Sequence, residues 1–306
     1  MPELTIPKAL LDSRGNTGEG RAWLDSVPGQ VDRYTREWEL RITGAAMAGM
    51  GSLVVPVERA DGVPAMLKLQ PVDDETVGEA VGLRIWDGDG SVRLLDEDPD
   101  TGVLLLEALD ASRDLMAVDD EEALDVIIAL LARLTAVPAP PDLRKLSDIA
   151  AQMVADTPAA LPKLAVPEER AFVEYAAAVV GELVGEAGDR LLHWDLHYEN
   201  VLAPLPGSGR EAWLAIDPKP LAGDPGFDLL PAMFNRFEEM AATGDVVKAV
   251  LRRFDRMVDG LGLDRDRAVA WTIGRVLQDA LWNVEDGFDR LDPHRSVIGL
   301  ALLGRS

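Results

Sequence analysis

The 306-residue sequence has no cysteine and no long apolar run. Without cysteine the chain forms neither disulfides nor thiolate metal sites and has no cysteine nucleophile, and this composition favours a reducing compartment. No apolar stretch approaches the roughly 20 residues that a membrane-spanning helix needs, and the N-terminal segment lacks the uninterrupted apolar stretch of a signal peptide. We therefore predict a cytoplasmic protein without a membrane anchor.

Positive charge is also scarce. The chain has 30 Lys and Arg residues against 54 Asp and Glu residues, a net charge of −24 at pH 7. Such a chain repels phosphate backbones and anionic lipids, so we expect neither nucleic acid nor a membrane as a partner. No feature indicates an obligatory protein partner. An alternative explanation of the acidic composition is that the negative charge keeps the protein soluble.

The N-terminal third has the pattern of a small antiparallel sheet crossed by one helix. A helical pattern from Gly20 to Trp38 gives way to alternating and β-branched segments, and a second helix is predicted from about Asp74 to Trp86. On that helix Glu75 and Glu79 would share one face, because they lie four residues apart. The predicted strands lie at residues 38–43, 53–57, 64–69, 92–96 and 103–106.

From Asp110 onward the pattern is mostly helical. Gly260 is expected to end the third of four amphipathic helices. The whole pattern predicts an α+β protein of two lobes, β-rich at residues 1–108 and mostly helical at residues 109–306. The four helices are predicted at residues 121–135, 168–184, 245–258 and 264–284.

Polar groups suited to chemistry concentrate at residues 193–217, between short apolar runs that predict strands and a hairpin. Asp195 and Asn200 lie in one predicted loop, and Asp217 follows the next strand. Phosphoryl transfer to a hydroxyl needs one carboxylate to take the proton, and an amide and a second carboxylate to hold magnesium on a triphosphate. These three residues therefore indicate phosphotransfer.

Two other interpretations of this segment remain open at this stage. His193, Asp195 and His197 could form the metal cluster of a hydrolase, since imidazole and carboxylate are common zinc or iron ligands. Only one further histidine, His294, is present to complete such a cluster. Alternatively, the two loop histidines only form hydrogen bonds within the loop.

The segment HWDLHYEN at residues 193–200 resembles the H-x-D-L-H-x-x-N catalytic loop of the aminoglycoside phosphotransferases, which share the protein-kinase fold. IDPKPLAGDPGFDL and WTIGRVLQDALWN extend the resemblance and are most similar to the streptomycin 6-kinase and hydroxyurea phosphotransferase branch. The similarity spans roughly Glu37–Asp286. It implies ATP as phosphoryl donor, Asp195 as catalytic base, and Asn200 and Asp217 as ligands of Mg²⁺.

The resemblance extends to a glycine-rich loop between the first strands. Gly49, Gly51 and Ser52 would let backbone amides approach the phosphates of ATP. An ordinary turn rich in small residues is the alternative. By the same resemblance, the main chain of Glu107 and Leu109 would lie beside adenine.

Lys68 stands out because it interrupts an apolar strand, where a buried ammonium needs an anionic partner. The resemblance implies that Lys68 contacts the ATP phosphates and that Glu79 pairs with it. Glu75, one helical turn earlier, is the alternative partner. A lysine exposed on an edge strand is the structural alternative.

The acceptor site is expected on the helix that starts near Asp264. An apolar stripe there would leave Asp279, Trp282 and Asp286 together on one face, which suits a cationic, polyhydroxylated ligand. A solvated helix face is the alternative.

Trp194 occupies a position where many relatives carry glycine, and its ring is expected to narrow the mouth of the catalytic loop. Asp228 is expected to support that loop.

The resemblance implies an ATP-dependent phosphotransferase that acts on a hydroxyl of a small molecule, an aminoglycoside such as streptomycin or hydroxyurea, and thereby inactivates an antibiotic. A kinase of a choline-like or sugar-like alcohol is one alternative. A nucleotide-binding scaffold without turnover is the other.

Overall fold

The computed structural model describes residues 4–304 and divides them into two compact units. The first unit contains residues 4–112 together with 203–214, and the second contains residues 113–202 and 215–304. The sequence interpretation instead placed the boundary after residue 108 and assigned 203–214 to the helical lobe.

The helices and strands occur in mixed order along the chain. The helices are α1 (Lys8–Arg14), α2 (Gly18–Glu37), α3 (Glu79–Trp86), α4 (Asp120–Leu134), α5 (Leu146–Ala160), α6 (Pro167–Leu183), α7 (Leu230–Met233), α8 (Phe237–Ala242), α9 (Val246–Leu261), α10 (Arg265–Glu285) and α11 (Pro293–Leu302). The strands are β1 (Arg41–Ile42), β2 (Met47–Ala48), β3 (Leu53–Glu58), β4 (Pro64–Leu69), β5 (Leu94–Asp98), β6 (Val103–Glu107), β7 (Leu109–Asp114), β8 (Arg190–Leu192), β9 (Val201–Pro204), β10 (Leu214–Ala215) and β11 (Leu221–Gly223). None of the helices within residues 4–304 has the length and apolar character of a membrane span.

The first unit is built on a six-stranded antiparallel sheet in the order β1-β3-β4-β6-β5, with β2 also pairing with β3. Alternate residues of β3, from Leu53 to Val57, are buried on one face. They belong to one apolar core with Leu24, Val27 and Val31 of α2. This alternation is the strand pattern of the sequence, and it fixes the face that α2 covers.

Residues 203–214 join the first unit through partly buried polar contacts. The guanidinium of Arg210 donates to the carbonyl oxygens of Gly88 and Ser91, both at 2.8 Å, and pairs with Glu107 at 3.1 Å. The Glu211 carboxylate accepts the N–H of Gly90 at 3.0 Å. Contacts between residues so far apart in sequence leave no periodic signal, so the sequence pattern could not assign residues 203–214 to the first unit.

The second unit is organised around α10, whose residues 271–280 are all buried. This helix packs against α5, α6 and the short helical turn Pro225–Asp228. Phe227 meets Trp271 edge to face, with ring centroids 6.0 Å apart. The single apolar stripe that the sequence suggested is therefore wrong for this part of α10, because neighbouring elements cover every side of the helix.

Two predicted helix ends are corrected. Helix α3 begins at Glu79 rather than near residue 74, because the side chain of Asp73 accepts the N–H groups of Glu75 and Thr76 and holds a turn there. Helix α9 ends at Leu261, with Gly262 in the left-handed conformation at φ 64°. Gly260 instead lies inside α9, where a Cβ atom would collide with Ile128 of α4.

Several elements were not predicted: the strands β2, β7 and β11 and the helices α1, α5, α8 and α11. Of the runs predicted to form strands and a hairpin, β9 and β10 pair with each other, whereas β8 pairs with β11. Strands of two or three residues carry too little periodicity to identify.

An ion pair between a buried arginine and a partly exposed aspartate joins α9 to the first turn of α4, and we predict that it dominates local stability. Arg253 is 4% exposed and binds both carboxylate oxygens of Asp120, at 2.7 and 2.8 Å. Replacing Arg253 with Ala should lower the free energy of unfolding by about 3 kcal/mol, because Asp120 loses its buried counter-charge. Urea denaturation measures the change.

The neighbouring residue provides the matched control. Arg252 pairs with Glu121 on the surface, with both side chains more than half exposed. Arg252→Ala should cost less than about 1 kcal/mol, as exposed ion pairs do. Equal losses for the two variants would show that burial of the Arg253 pair is not what matters.

Candidate active site

In the first unit, Lys68 and Glu79 form a buried ion pair. The Lys68 Nζ atom lies 2.7 and 2.8 Å from the two carboxylate oxygens of Glu79, and both residues are under 5% exposed. Gln70 donates a further hydrogen bond to Glu79 at 2.6 Å. The pairing predicted from the sequence is confirmed for Glu79 over Glu75, and β4 is an inner strand, so Lys68 is not an exposed edge lysine.

The glycine-rich segment forms a closed turn between β2 and β3. The Gly49 N–H donates to the Ser52 carbonyl oxygen at 2.9 Å. A Cβ atom on Gly51 would lie 2.1 Å from the guanidinium of Arg14, the last residue of α1. The arginine side chain therefore packs directly on the loop, and a side chain at position 51 would have to displace its flexible end.

Strand register places this turn near the ion pair. Val54 of β3 stands opposite Lys68 of β4. Ser52 therefore lies two residues from the cross-strand partner of Lys68, within about 10 Å along the strand. The loop and the lysine thus belong to one end of the same sheet.

The residues expected beside adenine follow the sheet directly. The Glu107 N–H donates to the Arg93 carbonyl oxygen at 3.0 Å, and its carboxylate accepts the Arg93 N–H at 2.8 Å. Leu109 is buried at the start of β7. The contact of Glu107 and Leu109 with adenine stays a prediction. Because the Glu107 N–H is already bonded, only the main-chain carbonyl oxygen of this residue is suited to contact adenine.

In the second unit, Asp228 fixes the start of the catalytic loop. Its carboxylate is fully buried and accepts the backbone N–H groups of His193 at 2.8 Å and Trp194 at 2.6 Å. Burial raises the pKa of Asp228 to about 7. The two hydrogen bonds and the nearby Arg275 act in the opposite direction, because they favour the ionised carboxylate. The supporting role predicted for Asp228 is confirmed.

Backbone hydrogen bonds connect the catalytic loop to the segment that carries Asp217. The Lys219 N–H donates to the His193 carbonyl oxygen at 3.0 Å, and the Ile216 N–H donates to that of Asn200 at 2.9 Å. Asp217 lies between these two attachments in the left-handed conformation, at φ 56°. The predicted trio of Asp195, Asn200 and Asp217 therefore lies on two loops joined to each other at both ends.

His193 is a structural residue of this scaffold. Its ring is fully buried, and Nε2 lies 3.1 Å from the Ile216 carbonyl oxygen, to which it donates in the matching tautomer. Burial lowers the pKa of His193 to about 4, so the ring is neutral at pH 7. The hydrogen-bonding interpretation of this histidine is confirmed. His197 lies 3.8 Å from Glu199.

The donor set suits magnesium bound together with a triphosphate. The Asn200 amide nitrogen donates to the Asp195 carbonyl oxygen at 2.9 Å, which leaves the amide oxygen as the atom suited to a metal. Amide and carboxylate oxygens are ligands that Mg²⁺ accepts, with water and phosphate completing its shell. Residues 4–304 contain no cluster of three or more His, Asp and Glu side chains fit to hold a metal by themselves.

Sequence reasoning missed Lys219. Its Nζ atom lies 2.8 Å from Oδ2 of Asp195, and both side chains are about a quarter exposed. The available signal was the D-P-K tripeptide, which places a lysine two residues after Asp217. Only the fold brings that lysine to Asp195.

Trp194 does not narrow an open mouth, contrary to the sequence-based expectation. The residue is buried, at φ 68°, and its ring packs 5.8 Å from that of Trp282. The guanidinium groups of Arg144 and Arg275 lie 4.4 and 5.1 Å from the Trp194 ring centroid. Positive φ values favour glycine, so the Trp194 backbone has a conformation that residues with a side chain rarely adopt.

The acidic face expected on α10 is also corrected. Asp279 is 7% exposed and pairs with Arg275 at 2.6 Å and with Arg295. Its charge is therefore already compensated inside the protein. Trp282 is 36% exposed and Asp286 caps the exposed end of the helix, so only these two remain candidates for an acceptor contact.

Comparison with solved structures identifies the fold. The aminoglycoside phosphotransferase APH(4)-Ia superposes with a TM-score of 0.61 over 91% of this chain and 99% of that one, at 14% identity. The predicted bilobal, protein-kinase-like α+β fold is confirmed. The chain is a small-molecule phosphotransferase, as the family and the relatives described next show.

Sequence comparison identifies the family to which the chain belongs. The chain belongs to the aminoglycoside/hydroxyurea antibiotic resistance kinase family, whose model matches residues 37–287. It is 52% identical to the streptomycin 6-kinase of Streptomyces glaucescens, over 99% of this chain and 97% of that protein. It is 49% identical to the hydroxyurea phosphotransferase of Kitasatospora aureofaciens, over 98% and 86% respectively. The predicted resemblance is confirmed.

The anchoring of the catalytic loop by Asp228 yields a stability prediction. In Asp228→Asn, only one side-chain oxygen remains to accept the two backbone N–H groups, so one buried donor is left unsatisfied. We expect the free energy of unfolding to fall by about 1–3 kcal/mol, as measured by urea denaturation. Asp259→Asn, an exposed carboxylate on α9, is the control and should change little. An unchanged midpoint for Asp228→Asn would contradict the anchoring role.

Proposed function

We propose that this protein transfers the γ-phosphoryl group of ATP to a hydroxyl group of streptomycin and so inactivates the antibiotic. The observation that carries the proposal is the pair of loops that hold Asp195, Asn200 and Asp217 and are joined to each other by backbone hydrogen bonds. The chain is 52% identical to a streptomycin 6-kinase over 99% of its length, and this similarity supports streptomycin as the acceptor. The use of ATP implies a cytoplasmic reaction.

The first unit would bind the nucleotide. Lys68 donates to phosphate oxygens, and Glu79 holds its ammonium in place within an apolar strand. The backbone N–H groups of Gly51 and Ser52 would donate to the phosphates, while the Gly49 N–H closes the turn by donating to the Ser52 carbonyl oxygen. Glu107 and Leu109 would contact adenine through main-chain atoms.

The second unit would carry the chemical step. Asp195 accepts the proton of the acceptor hydroxyl while the hydroxyl oxygen forms a bond to the γ-phosphorus. The bond between the γ-phosphorus and the β-phosphate oxygen breaks, and its electron pair stays on that oxygen. Asn200 and Asp217 would hold Mg²⁺. When bound, this ion neutralises charge on the phosphate oxygens.

Charge supports a cationic acceptor. The net charge of −24 attracts a positively charged, polyhydroxylated antibiotic over distances that salt permits. Trp282 and Asp286 are the accessible residues of α10 proposed to contact it. Hydroxyurea is the second candidate acceptor, because a hydroxyurea phosphotransferase is nearly as similar to this chain.

An acceptor panel tests the proposal. Coupled ADP release is measured with ATP and Mg²⁺ in the presence of streptomycin, hydroxyurea, choline or a sugar, against a reaction without acceptor. We expect streptomycin to raise ADP formation above background and to yield a phosphorylated product by mass spectrometry. Turnover of hydroxyurea alone would reassign the acceptor, and no stimulation by any compound would favour a non-catalytic scaffold.

Asp195→Ala tests the assignment of the catalytic base. Because Asp195 would act on the acceptor proton and not on the nucleotide, we expect turnover to be lost while binding of Mg-ATP, measured by calorimetry, changes little. A general base contributes about 10²–10⁴-fold, which sets the scale of the loss. Loss of nucleotide binding together with turnover would indicate a metal or folding role instead.

Lys68→Met tests nucleotide binding by the first unit. Removing a charged hydrogen-bond donor of about 1.5–3 kcal/mol should lower kcat/KM for ATP roughly 10- to 100-fold. Lys8→Met, which removes a lysine exposed on α1 of the same unit, is the matched control and should behave like the wild type. Equal kcat/KM values for the two variants would refute the role of Lys68.

A further inference from the structure

The contact between Lys219 and Asp195 raises the question of what a lysine does beside a catalytic base. The two charges are 2.8 Å apart, and neither side chain is deeply buried. Both are therefore accessible to a ligand in the same place. The Lys219 N–H is bonded to the His193 carbonyl oxygen, so the lysine backbone is fixed to the catalytic loop itself.

Charge in this part of the site is otherwise negative. The segments 193–200 and 216–219 contain Asp195, Glu199 and Asp217, and Lys219 is their single lysine or arginine. A phosphoryl group that passes through such a site needs a cation close to its oxygens. Within these two segments only Lys219 offers one.

Distances place Lys219 within reach of the reacting atoms. A general base lies about 2.6–3.2 Å from the hydroxyl oxygen it deprotonates. With Nζ at 2.8 Å from the Asp195 carboxylate, the acceptor oxygen is within roughly 6 Å of the ammonium. The flexible four-carbon side chain of lysine can cover the remaining gap.

We propose that Lys219 is a second catalytic residue, which pairs with Asp195 in the resting enzyme and with oxygens of the transferred phosphoryl group during the reaction. When Asp195 takes the hydroxyl proton, its carboxylate loses its negative charge. The ammonium then interacts more strongly with the phosphoryl oxygens, so its contribution grows in the transition state. Lys219 stays protonated throughout, and this role rests on the proposed phosphotransfer.

The test compares Lys219→Met, Lys219→Arg and the wild type with ATP, Mg²⁺ and streptomycin. For Lys219→Met we expect kcat to fall about 100-fold or more, the scale of losing one transition-state donor. The dissociation constant of Mg-ATP, measured by calorimetry, should change less than about threefold, since the effect lies in the transition state. Arginine keeps the charge and should restore at least about a tenth of the lost rate. Lys248→Met, exposed on α9, is the control.

A double variant separates catalysis from mere support of Asp195. In the Asp195→Ala background, single-turnover transfer is followed with enzyme in excess over labelled ATP. If Lys219 acts on the phosphoryl group, adding Lys219→Met should slow the residual reaction by a further factor of about ten or more. If it only positions Asp195, the second substitution has no effect, and the proposal is wrong.

Other outcomes also decide the matter. A kcat for Lys219→Met within twofold of the wild type, or a loss confined to Mg-ATP binding, overturns the catalytic role while leaving the proposed function intact. Absence of phosphoryl transfer by the wild-type protein to any acceptor defeats the proposed function itself, and the role of Lys219 with it.

Discussion

The catalytic segment depends on one buried carboxylate. Asp228 accepts the N–H groups of His193 and Trp194 and so fixes the backbone immediately before Asp195. Because buried N–H groups are costly to leave unbonded, this interaction admits few alternative loop conformations. Lys219 and Ile216 then attach the second loop to the first, which places Asp195, Asn200 and Asp217 in one scaffold.

Burial determines which charged residues remain available to ligands. Asp279 and Arg253 are buried and paired with counter-ions, and they contribute to the architecture of the second unit. Asp195 and Lys219 are paired but partly exposed, so their pairing can change when a ligand arrives. Lys68 and Glu79 are an intermediate case, since both are buried within their own unit although the Lys68 ammonium is a group that phosphate attracts.

The fold is shared widely, and the family is narrower. A solved aminoglycoside phosphotransferase has the same architecture at 14% identity, which shows the fold alone. Membership of the aminoglycoside/hydroxyurea antibiotic resistance kinase family comes from similarity over most of the chain. The relatives are named for chemically very different acceptors, streptomycin and hydroxyurea.

Local sequence determined the elements with strong periodicity and the loop motif that carries Asp195 and Asn200, and it limited the expected partner of Lys68 to Glu79 or Glu75. Those signals are short-range, since strand alternation, helix spacing and motif order are all written along the chain. Tertiary structure alone decided that Lys219 meets Asp195, that Arg210 docks beside Glu107, and that Asp279 lies inside the protein between two arginines. Each of these depends on which surfaces pack together, and such contacts between distant residues have no period that a sequence could display.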